Sequence, residues 1–356
     1  MKKEGRHIHD LIKLYDQYIR EASTGKRLQK NGKRIRKSSI TNYNFLRLLL
    51  TDFSVKKSFP LRIKSLNKLK MRELNAEKKY WQLFYKKFTD YMYHDCDCYD
   101  NYVGSNIKLL RGFFNYLNNE RSLNIGAFHK RFYAPHEETE IIILLPEQLN
   151  YLIGNSEFEK VLPAFLQRTK DMFVFGCTVA LRISDIFKVS WRHIEIVNDR
   201  YYLKVKSQKT NTFTRVLLPE YAVNILKKYP PGRLTIFPSI SKARFNINVK
   251  LLIEKAGWNH ECLKTRQKQG IPTPVYKNKK TGQFYKFSDL ITSHTMRRTA
   301  ITTMLCLEMP ENIVRKISGH APNSKEFYRY VQLSQRFMDK ETEKVFEQLQ
   351  KKELAA

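Results

Sequence analysis

Apolar side chains recur at helical spacing through the first third of this chain, and that period limits what the region can fold into. The clearest stretch is 101–118, where Val103, Ile107 and Leu110 fall on one helix face. The same spacing predicts helices at 10–22, with Asp10 as N-cap, from Ser38 or Ser39 to Leu50, and at about 76–94. Polar loops separate these segments, and no strand pattern interrupts them. We therefore predict a small all-α domain over residues 1–130.

A change in composition ends this helical region. Residues 129–140 are polar, contain Pro135 and break the apolar period, as a linker between domains does, and we predict the linker at 131–144. Pro146 then stands in the first turn of a new helix, where its missing N–H costs nothing. We predict a second domain at 145–334, followed by a helical tail at 335–356.

The second domain is predicted to be helical with one clear β interruption. Alternating or apolar residues indicate strands at 201–206 and 214–218, joined by a polar turn at 207–212. A second small hairpin is predicted at 274–287, with its turn at 278–282. The predicted fold class is thus mainly α with a small β component, an all-α domain followed by a mixed α+β domain.

The charge of the chain indicates its partner. There are 65 Lys and Arg against 34 Asp and Glu, a formal charge of +31, which exceeds what surface solubility requires. Such an excess indicates a polyanion, and nucleic acid is the commonest one. A basic stretch at 26–37 fits a solvated loop and a phosphate-contacting loop equally well. Its candidate DNA-binding residues are Lys26, Arg27, Lys33, Arg34, Arg36 and Lys37.

Other classes of protein are disfavoured by what the sequence contains. No apolar run approaches the length of a membrane span, and the start does not resemble a signal peptide. The five cysteines are odd in number and scattered, so they indicate an intracellular protein without a disulfide framework. His94, Cys96 and Cys98 lack the second ligand pair of a zinc site, so no metal is expected.

Five features that can carry phosphate chemistry follow one another in the second domain. Each is common by itself: a surface ion pair, a turn lysine, an H-x-x-R pair on a helix, a histidine after a helix stop, and a tyrosine. Their joint occurrence in this order is much rarer than any one of them. The residues are Arg182 with Asp185, Lys209, His294 with Arg297, His320, and the tyrosines Tyr328 and Tyr330.

Together these features resemble the active site of the tyrosine recombinase (phage integrase) family over about 145–335. The matching segments read ALRISDI, SQKTNTFTRVLLP, SHTMRRTA, SGH and FYRYV. The sequences of these segments are most similar to those of integrases of Bacteroides-type conjugative transposons and related mobile elements. The resemblance implies a helical core-binding (SAM-like) domain and a catalytic domain that clamp duplex DNA from opposite faces.

The resemblance also implies a reaction without metal or other cofactor. A tyrosine hydroxyl attacks the scissile phosphorus, the 5′ oxygen leaves, and a 3′-phosphotyrosyl bond keeps the linkage energy for religation. Arg182 and Arg297 would hold the non-bridging oxygens, and Lys209 would protonate the leaving oxygen. His294 and His320 would donate to the phosphate or assist proton transfer. Asp185 would support the cluster.

The spacing leaves the identity of the nucleophile open. Tyr330 lies ten residues beyond His320 and Tyr328 lies eight beyond, whereas the family's tyrosine lies about nine beyond its histidine. We favour Tyr330, because Phe327 and Val331 frame it as apolar residues frame the family's nucleophile, and Tyr328 is kept as the alternative. A second departure is the long basic stretch at 257–289, which could move Arg297 relative to Arg182.

The expected partners follow from the same resemblance. They are double-stranded DNA, three further copies of the chain in a tetramer on two DNA sites, and host DNA-bending or element-encoded excision factors. The tail at 335–356 fits packing on its own domain and docking on a neighbouring protomer equally well. Two other functions remain open: DNA relaxation of the type IB topoisomerase kind, and sequence-specific DNA binding without catalysis.

Overall fold

The computed structural model describes residues 8–67, 69–206 and 213–353, and the chain divides into two compact units. The first comprises Met1–Thr139 with Lys264–Val275, and the second Glu140–Leu263 with Tyr276–Ala356. The predicted fold class, mainly helical with small sheets, is confirmed.

Four long helices form the first unit. They are α1 Leu11–Thr24, α2 Lys37–Lys56, α3 Met71–Asp90, which continues into a π-helical turn Tyr91–Asp95, and α4 Asp100–Asn119. Asp10 caps α1 as predicted, because its carboxylate accepts the Lys13 N–H at 2.9 Å. The predicted cap of α2 at Ser38 or Ser39 is wrong: the N-cap is Arg36, and no side chain caps this end. Packing of buried Leu46 and Phe53, rather than a cap, therefore holds α2 in place.

Aromatic rings fill the core of this unit. Trp81 stacks on Phe128 with ring centroids 4.2 Å apart, and Phe114 meets Trp81 edge to face at 5.1 Å. Rings of this size bury more apolar area per residue than any aliphatic side chain. Two short strands, β1 Ile8–Asp10 and β2 Arg62–Lys64, pair antiparallel beside the helices. They are too short to leave an alternating pattern in the sequence.

The second unit contains ten helices among the residues described. These are α5 Pro146–Gly154, α6 Ser156–Val161, α7 Ala164–Val179, α8 Ile183–Ile186, α9 Glu220–Lys227, α10 Lys242–Lys255, α11 Phe287–Leu290, α12 Ser293–Cys306, α13 Glu311–Ser318 and α14 Lys325–Glu353. Pro146 occupies the first turn of α5, as predicted. The tail beyond residue 334 is helical as far as Glu353 and continues α14 without a break.

A three-stranded antiparallel sheet accompanies these helices. Both predicted strands are present, as β4 Arg200–Lys206 and β5 Phe213–Leu217, and β3 Ile194–Val197 pairs on the other edge of β4. Leu203 and Val205 in β4 and Val216 in β5 are buried, which explains the alternation in the sequence. The predicted turn at 207–212 lies outside the described residues.

The second predicted hairpin, at 274–287, is right in its turn and wrong in its strands. Asn278 and Gln283 form an isolated antiparallel bridge around the predicted turn at 278–282, but the flanking strands have other partners. Strand β7 Lys264–Lys268 pairs with β8 Ile271–Val275, whereas β6 Glu261–Cys262 pairs with β9 Tyr285–Lys286. Gln269 and Gly270 form the tight turn between β7 and β8. Both have positive φ, of 52° and 79°. Two-residue turns of this kind match the twist of paired strands. Gln269 is an unusual residue for such a turn, which concealed the turn in the sequence.

Two buried carboxylates attach residues 264–275, here called the docked hairpin, to the first unit. Glu137 is 4% exposed and accepts Arg266 Nε at 2.7 Å. Asp100 is 2% exposed and accepts the backbone N–H groups of Gln269 at 2.8 Å and Gly270 at 2.9 Å. Buried carboxylates require such partners, since an unpaired charge in the interior is costly. The chain therefore passes between the two units three times, near residues 139, 263 and 275.

Candidate active site

Close packing of α7 against α12 underlies the site, because Arg182 follows the first helix and Arg297 lies on the second. Gly176 permits the approach: a Cβ at this position would lie 2.6 Å from Met296 Sδ and 3.1 Å from Met296 Cβ. At the end of α7, Ala180 has left-handed backbone with φ 55°. Such a conformation costs a residue with a Cβ roughly 1–2 kcal/mol, so the surrounding packing must maintain it.

Arg182 follows this turn as the N-cap of α8, with extended backbone. Asp185 lies three residues further on, in the first turn of α8, and its backbone N–H donates to the Arg182 carbonyl at 2.8 Å. Asp185 is buried, at 3% exposure, and Arg182 is half-buried. The charges of both act on Arg297, so the three side chains belong to one electrostatic cluster.

Arg297 is the most deeply buried cation of this cluster, at 6% exposure. Its Nη1 donates to the carbonyl oxygen of Ala180 at 2.9 Å. Its Nη2 lies 3.2 Å from Nε2 of His320 and 3.4 Å from Nδ1. The planar guanidinium thus joins the end of α7 to the residue that follows α13, and its orientation is fixed from two sides.

Hydrogen bonds around Ser318 determine the tautomer of His320. The Ser318 hydroxyl donates to the Val314 carbonyl at 2.7 Å, so its single proton is used there. Its oxygen therefore accepts from Nδ1 of His320, which lies 2.8 Å away. Nε2 is left with its lone pair and accepts from Arg297. His320 thus serves as a neutral acceptor that orients Arg297.

The shifts in pKa agree with this arrangement. Burial, then Arg297, then Arg182 and Arg315 lower the pKa of His320 from 6.5 to about 3, so it is neutral at pH 7. Burial and then the charge of Arg182 lower the pKa of Arg297 to about 10, while Tyr330, Asp185 and Glu326 act in the opposite direction. Arg297 therefore stays charged at pH 7, beside a neutral His320.

The two candidate tyrosines occupy different surroundings on α14. The Tyr330 ring lies 6.0 Å from the His320 ring and packs beside Phe327. Tyr328 is 52% exposed, and the guanidinium of Arg315 lies 5.1 Å from its ring. Tyr330 is thus brought to the Arg297–His320 cluster, and Tyr328 is held elsewhere.

Of the remaining predicted site residues, the structure describes His294 but not Lys209. His294 lies in the first turn of α12 and is exposed, with its backbone N–H donated to Thr292 Oγ1 at 3.3 Å. Lys209 lies outside the described residues. Near the start of β5, Thr214 Oγ1 donates to the Lys316 carbonyl at 3.4 Å, which attaches this strand to α13.

The basic loop between α1 and α2 divides into two kinds of residue. Arg27 is turned inward: its guanidinium covers the Tyr18 ring at 4.1 Å and its Nε donates to Glu120 at 3.4 Å. It therefore attaches the loop to the helices. The remaining candidates are exposed; they are Lys26, Lys33, Arg34, Arg36 and Lys37.

Within the described ranges, no group of three or more His, Cys, Asp or Glu residues is arranged to hold a metal ion. The five cysteines are free thiols. None of the described helices combines the length and apolarity that crossing a membrane requires.

Several residues that shape the site were missed in the sequence. Ser318 sets the tautomer of His320, Ala180 supplies a carbonyl to Arg297, and Gly176 allows α7 and α12 to approach. A glycine within the apolar run of a helix was the one visible signal, because such a glycine often marks close helix packing. The roles of Ser318 and Ala180 depend on tertiary contacts and leave no local pattern.

The fold is that of tyrosine recombinases, and the comparisons identify the family. The sequence profile of the Phage integrase family matches residues 144–336, more than half of the chain. The chain therefore belongs to the phage integrase family of tyrosine recombinases. Comparison with curated protein sequences gives no significant match.

Solved structures show the same fold at low sequence identity. The XerH site-specific recombinase bound to palindromic difH substrate has a TM-score of 0.57 and 14% identity, over 89% of this chain and 80% of that one. A lambda integrase dimer bound to a COC′ core site has a TM-score of 0.55 and 14% identity, over 91% and 77%. The Tn1549 transposon integrase in complex with transposon right end DNA has 0.53 and 13%, over 90% and 94%.

Proposed function

We propose that this protein is a site-specific recombinase that cleaves and rejoins duplex DNA through a 3′-phosphotyrosyl bond at Tyr330. The observation that carries the proposal is the position of the Tyr330 ring, 6.0 Å from His320, whose Nε2 accepts from Arg297. A tyrosine beside a charged, oriented guanidinium is suited to attack a phosphate that the guanidinium holds.

The reaction requires an exchange of one phosphate ester for another. The Tyr330 oxygen forms a bond to phosphorus as the bond to the 5′ oxygen breaks, and the tyrosine proton is released while the leaving oxygen gains one. Arg182 and Arg297 bind the non-bridging oxygens where negative charge increases. Asp185, buried in α8, stabilises the two guanidiniums against their mutual repulsion.

Lys209 is proposed as the acid that protonates the leaving 5′ oxygen. This proposal rests on the sequence motif alone. Lys209 lies in the segment between the end of β4 at Lys206 and the start of β5 at Phe213. His294, exposed at the start of α12, is proposed to donate to the phosphate from outside the buried cluster. His320 instead orients Arg297, because its accepting nitrogen is already occupied.

The first unit is proposed to be the core-binding domain, and the exposed residues of the basic loop are proposed to contact phosphates. Phosphate contacts of this kind provide most of the affinity of such proteins and weaken with salt. The exposed members are Lys26, Lys33, Arg34, Arg36 and Lys37. Arg27 supports the loop from beneath, through Tyr18 and Glu120.

Integration and excision of a mobile element is the proposed biological task. The motif sequences resemble those of integrases from Bacteroides-type conjugative transposons. A structural relative, the Tn1549 transposon integrase, was solved with circular intermediate DNA. A homotetramer on two DNA sites is the proposed assembly, with host DNA-bending or element-encoded excision factors as partners. A cytoplasmic location at the nucleoid would follow from such a task.

A nicked suicide substrate carrying the end of the element tests the proposed function. The broken strand is lost after cleavage, so wild-type protein should accumulate a covalent DNA adduct that survives denaturing electrophoresis. Tyr330→Phe should give no adduct, whereas the matched variant Tyr328→Phe should give as much as wild type. An adduct that persists in Tyr330→Phe and maps to Tyr328 would overturn the residue assignment. Absence of an adduct from wild type on every element end would overturn the activity.

A further inference from the structure

Arg315 in α13 makes an unusual set of contacts for a residue outside the predicted site. Its side chain is 12% exposed. Nη1 donates to the carbonyl oxygens of Pro322 at 2.9 Å and Ala321 at 3.4 Å, and Nη2 lies 3.2 Å from the Glu311 carboxylate. The face of the guanidinium covers the Phe327 ring at 3.9 Å.

These contacts connect the two ends of the segment between His320 and α14. The Arg315 carbonyl accepts the backbone N–H of His320 at 3.1 Å, so this residue also determines where His320 leaves α13. Its side chain holds the carbonyls of the following loop and the first rings of α14. One residue therefore contacts the histidine, the loop and the helix that carries both tyrosines.

Arg315 also contacts the tyrosine that does not face the cluster. Residues two apart on an α-helix point about 200° away from each other. Tyr328 lies under the Arg315 guanidinium at 5.1 Å, so the rotation of α14 that satisfies this contact directs Tyr330 towards His320. A turn of α14 that brought Tyr328 to His320 would break the contacts of Arg315 with Phe327 and Tyr328.

A simple surface role does not explain this geometry. The ion pair with Glu311 is an i,i+4 helix pair, and pairs of this kind contribute little to stability. Such a pair needs neither the carbonyl of Pro322 nor two aromatic rings. The combination of donors in the plane and rings on the face is specific to a guanidinium, and a lysine ammonium does not reproduce it.

We propose that Arg315 is a positioning residue for strand cleavage: it holds the loop after His320 and the first turn of α14 so that Tyr330, and not Tyr328, meets the scissile phosphate. The inference rests on the proposed function. The inference predicts that loss of Arg315 impairs the chemical step and not DNA binding. None of the described contacts of Arg315 is to an exposed basic group that could contact a phosphate. Lowering of the His320 pKa by the charge of Arg315 agrees with their proximity.

The experiment compares wild type, Arg315→Ala and Arg315→Lys on the suicide substrate under single-turnover conditions. Both variants should form the Tyr330 adduct about ten- to a hundredfold more slowly, since misplacing a reacting group by about 1 Å can cost this much. The dissociation constant for the same DNA, measured at fixed salt, should stay within twofold of wild type. Lys316→Ala removes one charge from the exposed side of the same helix and serves as the matched control.

The outcomes separate this inference from the proposed function. An Arg315→Ala adduct rate within twofold of wild type overturns the inference, as does parallel loss of DNA affinity. Full recovery in Arg315→Lys would show that charge alone acts, and would also overturn it. If melting curves show that Arg315→Ala does not fold, Arg315→Lys decides by the same criteria. Failure of wild type to form an adduct would contradict the proposed function itself.

Discussion

The protonation of His320 follows from three hydrogen bonds in series. Ser318 donates to Val314, accepts from His320 Nδ1, and leaves Nε2 to accept from Arg297. A protonated His320 would direct an N–H at a guanidinium, so the fold strongly favours the neutral ring. The histidine of the SGH motif is therefore an acceptor before DNA is bound.

This arrangement predicts how acid affects stability through His320. The unfolded histidine has a pKa near 6.5 and the folded one near 3, so below about pH 6.5 the unfolded state binds more protons. The contribution of His320 is complete above this pH and is lost as the pH falls towards 3. Between pH 7.5 and 4.5, the melting temperature of the variant His320→Gln should therefore decrease less than that of wild type.

Thermal melts of both proteins across this range measure the difference. Other groups, such as His129 with its pKa lowered by burial to about 4, contribute equally to both proteins and cancel. Parallel decreases in melting temperature would contradict the neutral assignment of His320.

The sequence predicted the site residues by type and order, but not their interactions. Arg297, His320 and Tyr330 were singled out from motifs, and the structure brings them together. The spacing did not separate Tyr330 from Tyr328, because the choice depends on the rotation of α14. That rotation depends on tertiary contacts, among them the burial of Phe327 and its contact with Arg315, which no local pattern records.

At the level of elements, the contact of α7 with α12 depends on one missing methyl group. Ala at position 176 would place its Cβ 3.1 Å from both Met296 Cβ and Ile186 Cδ1, and 2.6 Å from the Met296 sulfur. Overpacking of this kind costs about 1–3 kcal/mol, against a gain of up to about 1 kcal/mol in helix propensity. Gly176→Ala should thus lower the melting temperature and slow adduct formation, because Arg297 moves relative to Arg182.

Gly154→Ala is the matched control for this prediction. Gly154 is the last residue of α5, and nothing lies within 4 Å of a Cβ built there. The same substitution should therefore leave the melting temperature unchanged or raise it. Equal effects of the two substitutions would show that the α7–α12 contact is not limiting.

The helices were easier to predict than the strands. Periodicity located α1 to α4 because each buries one apolar stripe, and errors were confined to their ends. The docked hairpin was not predicted, because its exposed strand β8 has no alternation and contains Pro272 and Pro274. Its position depends on Glu137 and Asp100, which lie more than 100 residues earlier in the chain.

For the whole molecule, we expect the tail to act in assembly. A chain ending after Ser334 should bind DNA and form the Tyr330 adduct close to wild-type levels, yet lose most recombination between two sites. Phe346→Ser is a milder variant, since Phe346 is 59% exposed and its loss should not disturb the protomer. Gel-shift, adduct and two-site recombination assays measure the three steps separately. Equal loss in all three assays would count against a role in assembly.

A final consequence follows from the continuity of α14 between Lys325 and Glu353. Each residue of an α-helix turns the chain by about 100° and advances it by about 1.5 Å. The direction in which a tail residue faces around the helix axis is therefore fixed by the number of residues between it and Tyr330. One alanine inserted after Ser334 would swing the tail through about 100°, whereas seven would restore its heading to within about 20° and move it about 10 Å outward. The orientation of the tail thus depends on the number of residues in α14 that precede it, and not on which residues they are.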